Sequence, residues 1–169
     1  MSNLIYDLSI APMSRSLKNL DAILAKAEEH AEADDGIEPS TLIQARLHPN
    51  MRPLVFQIQV ATDTAKGAAA RLTGREVPSW PDDEETFADL HARVGKAIDY
   101  LSGFRPEDFE GAEDREIRLQ LGPNAHDFTG RTYLAGFVIP NFYFHVTTAY
   151  NILRHNGVVI GKRDFLGGA

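Results

Sequence analysis

Residues 52–74 read RPLVFQIQVATDTAKGAAARLTG, and this stretch predicts the second long helix of the chain. Pro53 suits the first turn of a helix, where an N–H is not needed, and Gly74 suits the position just past the end. At about 100° per residue, the apolar side chains collect on one narrow face. That face consists of Leu54, Ile58, Ala61, Ala65, Ala68 and Leu72. Its alanines allow a neighbouring helix to approach closely, as in a helical bundle.

Two further stretches before residue 104 have helical periodicity. The first predicted helix begins at Leu4 or at Ser14 and ends near His30, where the acidic residues that follow oppose the helix dipole and predict fraying. The third predicted helix covers residues 82–103, DDEETFADLHARVGKAIDYLSG. Its four acidic residues lie at the N-terminal end, where they complement the dipole and can cap the helix.

The remaining predicted elements are the last long helix, a hairpin and a short helical piece. The last helix begins near Pro140 and ends at residues 156–157. Apolar and polar residues alternate in residues 116–121, EIRLQL, which indicates a strand that pairs through residues 122–130, GPNAHDFTG. The short helical piece is predicted at residues 41–46. These elements predict a single all-α domain over residues 1–169, a four-helix bundle with a small β-hairpin insert between the third and fourth helices.

The composition disfavours several classes of protein. The net charge is −7, and no stripe of basic residues interleaves with aromatic ones, which disfavours binding to nucleic acid or to an anionic membrane. The absence of cysteine excludes disulfides, thiol catalysis and thiolate zinc sites. The N-terminus does not have the pattern of a signal peptide, and no apolar stretch reaches the ~18 residues of a membrane span. We therefore expect a cytoplasmic protein with no nucleic-acid or membrane partner.

His145 is the candidate functional residue, because it lies near the centre of the apolar face of the last predicted helix. Asn141 and Thr148 flank it on the same helix, and Gln57 of the second helix lies at the edge of the alanine face. The same periodicity turns Gln59 away from that face. Three roles remain open for His145: a core histidine with satisfied hydrogen bonds, a group that contacts a ligand or transfers a proton, and a metal ligand.

Residues 57–74 and 140–167 resemble a family of bacterial and fungal proteins of unknown function within the DinB/YfiT-like superfamily. The resemblance extends over nearly the whole chain and is most specific in the C-terminal stretch. It implies a four-helix bundle of the up-down-down-up type, and it implies a homodimer. Members of the superfamily with known activity include thiol-dependent transferases and isomerases that use a divalent metal.

The resemblance also implies positions for a metal site. The superfamily's site has one histidine on the second helix and two on the last helix, four residues apart. His145 matches the second histidine of that pair and Asn141 takes the place of the first, while the position on the second helix falls on Gln59 by motif or on Gln57 by periodicity. Because two imidazoles are missing, we expect no tightly bound metal and no cofactor. A retained weak divalent-metal site would use His145, Asn141 and either glutamine.

Three functional hypotheses follow from these residues. In the first, an inter-helix pocket of Gln57, Gln59, Asn141, His145 and Thr148 binds a small molecule or carries out metal-free chemistry with His145. In the second, a weak metal site supports a hydrolase, or a thiol-dependent transferase or isomerase. In the third, the chain is a dimeric stress or scaffold protein without enzymatic activity.

Overall fold

A computed structural model describes residues 3–33 and 37–168 of the chain. It consists of long helices around an apolar core, with one small antiparallel hairpin. The helices and strands are α1 Leu4–Glu32, α2 Pro39–Ile43, α3 Leu54–Leu72, α4 Phe87–Ser102, β1 Glu116–Leu121, β2 Asn124–Thr129, α5 Gly130–Tyr133, α6 Ile139–His155 and α7 Lys162–Leu166. The predicted all-α bundle with a hairpin between its third and fourth long helices is therefore confirmed.

The two middle helices of the bundle, α3 and α4, run parallel to each other. Arg93 of α4 donates from Nε to Thr62 of α3 at 2.9 Å. Lys66 of α3 and Lys96 of α4, each about one turn further along, both lie over the ring of Trp80, at 4.4 and 4.8 Å from its centroid. Contacts that advance in the same direction along both helices require a parallel pair, with residues 73–86 as the connection between them.

The outer long helices run opposite to this pair. Thr64 of α3 meets Asn141 of α6, whereas Gln57, nearer the start of α3, meets His145, further along α6. Similarly, Asp21 in the later half of α1 meets His91 near the start of α4. The result is the up-down-down-up arrangement that the resemblance implies. It places the narrow alanine face of α3 against its neighbours, with Ala61, Ala65 and Ala68 fully buried.

The first helix begins at the earlier of the two predicted positions. Asn3 caps α1 by accepting hydrogen bonds from the N–H groups of Ile5 and Tyr6. The helix continues through Pro12 and past His30 to Glu32. The predicted frayed end falls partly on residues 34–36, which lie outside the described residues.

The start of α4 differs from the prediction. The helix begins at Phe87, and Thr86 caps it in a reciprocal pair of hydrogen bonds with Asp89. The acidic residues 82–85 precede the helix and do not cap it. Glu84 instead pairs with Arg93 at 2.7 Å. Its carboxylate therefore interacts with a buried cation rather than with the N-terminal end of the helix dipole.

The short second helix also lies earlier than predicted. It covers Pro39–Ile43 rather than residues 41–46, because Pro39 begins it in the first turn and the chain leaves helical geometry after Gln44. Leu42 and Ile43 are buried and anchor it to the core.

The last long helix is the end of a longer helical run. α5 leads into a π-helical segment, Leu134–Val138, which leads directly into α6. Pro140 lies in the first turn of α6, where proline is tolerated. At the start of this run a Cβ on Gly130 would collide with the backbone carbonyl of Ala112, so a glycine is required there.

The hairpin covers one end of the core. β1 and β2 pair antiparallel, with Ile117 opposite Phe128 and Leu119 opposite His126. Ile117 and Leu119 are buried, as the alternation predicts, and β2 is mostly exposed. Among the described residues, no helix is both long enough and apolar enough to cross a membrane.

Candidate functional site

His145 projects from α6 towards α3, with only 9% of its surface exposed. Its Nδ1 lies 2.7 Å from Oε1 of Gln57. The inward orientation of His145 agrees with its place near the centre of the apolar face, and its hydrogen-bond partner is Gln57, which periodicity places at the edge of the alanine face. The structural position follows from periodicity, because His145 shares its face with the buried Phe142, Ala149 and Ile152.

The hydrogen bonds of Gln57 determine which nitrogen of His145 carries the proton. The amide nitrogen of Gln57 donates to the backbone carbonyl of Arg52 at 3.0 Å, and a carbonyl can only accept. The amide oxygen of Gln57 therefore faces His145 and must accept from Nδ1–H. In the neutral imidazole this leaves Nε2 with a lone pair.

Nε2 of His145 has no protein hydrogen-bond partner among the described residues, and it still reaches solvent. Among the described residues, two polar side-chain atoms are fully buried and lack a hydrogen bond, Oδ1 of Asp63 and Nη2 of Arg93. Nε2 of His145 is not one of them, so it is in contact with solvent. Burial lowers the pKa of His145 below its usual value near 6.5, so the neutral form dominates at neutral pH. The site is an accessible, uncharged proton acceptor.

Two aromatic rings flank the imidazole, and a cation lies over one of them. Phe56 and Phe144 meet it edge to face, with ring centroids 6.1 and 5.1 Å away. The guanidinium of Arg52 lies over the Phe56 ring at 5.0 Å. Phe144 is 57% exposed, because it precedes His145 and lies about 100° round the helix from it.

Asn141 and Thr148 lie near His145 on α6 but have other partners. The amide nitrogen of Asn141 donates to Oγ1 of Thr64 at 2.8 Å. Oγ1 of Thr148 donates to the backbone carbonyl of Phe144 at 2.7 Å, within its own helix. Of the predicted set, only Gln57 bonds directly to His145. The predicted residues therefore form separate hydrogen-bonded pairs, His145 with Gln57 and Asn141 with Thr64, rather than one network.

Gln59 is buried, although periodicity turns it away from the alanine face. Its amide nitrogen donates to Glu84 at 2.8 Å. The side of α3 that bears Gln59, Thr62 and Lys66 is covered by residues 80–84 and by α4 rather than by solvent. The predicted placement of Gln59 in one pocket with His145 is therefore wrong, because Gln59 belongs to a separate polar cluster.

That second cluster centres on Arg93, whose side chain is 2% exposed. Its guanidinium contacts Glu84 at 2.7 Å, Asp82 at 2.9 Å and Asp63 at 3.1 Å. Burial alone would raise the pKa of Glu84, but the hydrogen bonds from Arg93 and Gln59 outweigh it and hold that pKa below its usual value. The sequence does contain a signal for this cluster, because Arg93 falls between Leu90 and Val94 on the apolar stripe of α4.

The cluster borders a surface cavity of about 300 Å³ between α4 and the connection before it. The cavity is lined by Trp80, Pro81, Asp83, Glu84, Asp89, Ala92, Arg93 and Lys96. The guanidinium of Arg93 is already paired with Asp63 of α3 and with Asp82 and Glu84 of the connection. Its charge therefore links α4 to α3 and to the connection.

The residues around His145 do not fit a divalent transition metal. Among the described residues there is no group of three or more His, Cys, Asp or Glu that could hold a metal ion. The amide oxygen of Gln57 is occupied by Nδ1–H of His145. Asn141 is bonded to Thr64, and Gln59 lies in the other cluster. Neutral amides are poor ligands for zinc, nickel or iron, which prefer imidazole, thiolate and carboxylate.

Comparisons with known proteins identify similar chains. A family described as "Domain of unknown function (DUF1993)" matches residues 5–166. A crystal structure of a DinB family member protein from Shewanella denitrificans shares 41% sequence identity, with a TM-score of 0.89, and the match covers 98% of this chain and 93% of that chain. None of the curated proteins gives a significant match.

Proposed function

This chain belongs to the DUF1993 family, a domain of unknown function, and from that premise we propose that it binds a small molecule at His145 and uses the neutral imidazole to accept a proton without a metal. The likeness to a DinB family member confirms the resemblance of residues 57–74 and 140–167. The proposal concerns the chemistry of one site on that shared bundle.

The hydrogen-bonded pair of His145 and Gln57 is the observation that carries this proposal. The position of the imidazole is fixed through one ring nitrogen, while the other borders solvent. Here Nδ1 is held by an amide oxygen that is itself fixed by a backbone carbonyl. Nε2 has no protein partner within residues 3–33 and 37–168 and lies beside two aromatic rings, an arrangement that supports the role of an oriented general base.

Proton acceptance at Nε2 would convert His145 into an imidazolium. Its Nδ1–H would keep the hydrogen bond to Gln57, and that bond would become stronger because the donor is then charged. Burial opposes the charge, so the protonated state is short-lived unless a negative charge develops on the ligand beside it. The geometry therefore suits abstraction of a proton from a ligand that becomes anionic.

A thermal-shift screen against metabolites tests the binding part of the proposal. A compound that binds the native protein raises the melting temperature. We expect His145→Gln to reduce that rise strongly, because the amide of glutamine is not a base and lacks the imidazole ring that Phe56 and Phe144 contact. His155→Gln is the matched control, since it changes an exposed histidine in the last turn of the same helix. Equal shifts in both variants would place the binding site elsewhere.

Elemental analysis of protein purified without an affinity tag tests the metal-free part. We expect substoichiometric metal that does not depend on His145. Near-stoichiometric zinc, nickel, iron or manganese that is lost in His145→Gln would contradict the proposal and would favour the metal-dependent hydrolase or transferase.

A further inference from the structure

We propose that the ligand of the His145 site is a small carboxylate with an apolar group, and that Arg52 binds its carboxylate. This inference rests on the proposed function and names the chemical class of its ligand. It follows from the charge, the position and the surroundings of Arg52.

The guanidinium of Arg52 has no counter-ion among the described residues, where no carboxylate lies within ion-pair distance of it. Four other arginines there each contact a carboxylate: Arg75, Arg93, Arg118 and Arg131. Arg52 instead contacts the face of Phe56, at 5.0 Å from the ring centroid. A ring beneath a guanidinium restricts its motion and leaves its N–H donors free for a planar acceptor such as a carboxylate.

Arg52 and His145 are held by the same side chain. The amide of Gln57 donates to the backbone carbonyl of Arg52 and accepts from the imidazole of His145. Phe56 contacts both residues through its ring, the guanidinium on its face and the imidazole edge to face. The backbone of Arg52 and the imidazole of His145 therefore share Gln57 as a hydrogen-bond partner, and the guanidinium and the imidazole share Phe56 as a neighbour.

The start of α3 adds a favourable environment for an anion. Arg52 precedes a 19-residue helix whose first turn contains no acidic residue and whose N-cap makes no side-chain hydrogen bond. The positive end of that helix dipole therefore has no acidic side chain to compensate it. The second observation is His145, which is 9% exposed, is bonded through Nδ1 to Gln57, and has no protein partner for Nε2 in the part of the chain that the structure describes.

The exposed ring of Phe144 defines the rest of the ligand. It lies edge to face against His145 and is 57% exposed, which is unusual for a large aromatic side chain in this chain. An apolar group packed on Phe144 would bury part of that ring. A ligand that meets all of these groups has a carboxylate for Arg52, an apolar group for Phe144, and an O–H or acidic C–H for Nε2.

Three related compounds distinguish these contacts: mandelate, mandelamide and phenylacetate. Mandelate has a carboxylate, a hydroxyl and a phenyl ring, mandelamide lacks the charge, and phenylacetate lacks the hydroxyl. We would titrate each into ¹⁵N-labelled full-length protein and follow the signals of residues 52–57 and 144–148. We expect mandelate to bind most tightly, and Arg52→Gln to weaken it by about tenfold or more, since a charged hydrogen bond is lost. As the matched control, Arg154→Gln removes an exposed charge from the far end of α6 and should leave mandelate binding unchanged.

The outcomes separate this inference from the proposed function. Equal binding of mandelate and mandelamide, or unchanged mandelate binding in Arg52→Gln, would overturn the carboxylate inference and leave the His145 site intact. No perturbation of these signals by any of the three compounds would count against both. Loss of the advantage of mandelate over phenylacetate in His145→Gln would support both, because the hydroxyl is the group that Nε2 contacts.

Discussion

The charge of His145 is coupled to folding, because the native protein prefers the neutral imidazole. In the unfolded chain this residue is exposed and titrates near 6.5, whereas in the native bundle burial lowers its pKa. The unfolded state therefore binds more protons than the native state between the lowered value and 6.5. The free energy of unfolding is therefore not reduced by His145 at pH values above 6.5. It falls as the pH is lowered from 6.5 towards the pKa of the native state.

We expect His145→Gln to reduce this part of the acid sensitivity. Urea unfolding at pH 7.5 and at pH 5 should show a smaller loss of stability in the variant than in the wild type, while His155→Gln should follow the wild type. Carboxylates contribute the same background to all three proteins, so the comparison isolates His145. A loss of equal size in His145→Gln and the wild type would show that the native pKa is not lowered.

At this scale, the sequence predicted the residues that obey helical periodicity. His145 and Gln57 were found because each lies at a fixed angle from apolar neighbours on its own helix. Periodicity does not predict the partner of Gln59, because that partner, Glu84, lies on an irregular connection. The position of such a connection does not follow from helical spacing. Arg52 was missed for the same reason, since it precedes the regular part of α3.

The connection between α3 and α4 is fastened to the bundle by buried charges. Arg93 binds the carbonyl of Pro81 at 2.8 Å as well as the side chains of Asp82 and Glu84. Trp80 lies between Lys66 and Lys96 in two cation–π contacts. Because α3 and α4 run parallel, the connection between them must return along their whole length. These contacts hold the connection against the two helices.

We expect Arg93→Met to destabilise the protein by about 3 kcal/mol, because it leaves the buried carboxylate of Glu84 without its cation, while the more exposed Asp63 and Asp82 remain solvated. Chemical denaturation followed by circular dichroism would measure this change. Arg154→Met is the matched control, since Arg154 is exposed, and its effect should stay within about 0.5 kcal/mol. An equally small effect of Arg93→Met would mean that the ion pairs contribute little beyond the packing of the side chain.

The existence of each long helix was predictable, and its boundaries were less so. The apolar stripes of α1, α3, α4 and α6 repeat at helical spacing, which requires only the sequence of each segment. The start of α4 depends on which of two interactions the acidic residues before it make. They can interact with the N-terminus of the helix, or they can pair with the buried Arg93, and the sequence does not decide between the two. The arginine prevails because the pair is removed from water.

The whole molecule presents few large apolar side chains to solvent. Leu4 and Leu8 lie one turn apart on α1, at 59% and 51% exposure, and Phe144 and Val159 are also exposed. The net charge of −7 opposes nonspecific association. An interface between two copies would therefore be specific and would use a limited apolar surface.

We expect a homodimer in solution, as the resemblance of the sequence implies. Light scattering at micromolar concentration should give about twice the chain mass of 18.7 kDa. Leu8→Glu should shift the mass towards the monomer if the exposed leucines of α1 contribute to the interface, and Lys18→Glu, an exposed position on the same helix, is its control. A monomer mass for the wild-type protein would contradict the dimer.

The π-helical segment between α5 and α6 lets the helical run contain one extra residue between the hairpin and His145 without turning either relative to the other. A π turn holds one more residue than an α turn, so it behaves as a one-residue insertion that the helix has absorbed. Removing Gly136, whose surroundings are open, should restore α-helical spacing and leave His145 facing Gln57, because the deletion takes out the residue that the π turn had absorbed. Homologous chains that lack one residue between positions 134 and 138 should then have a regular α-helix there and present the same side chain of α6 to Gln57.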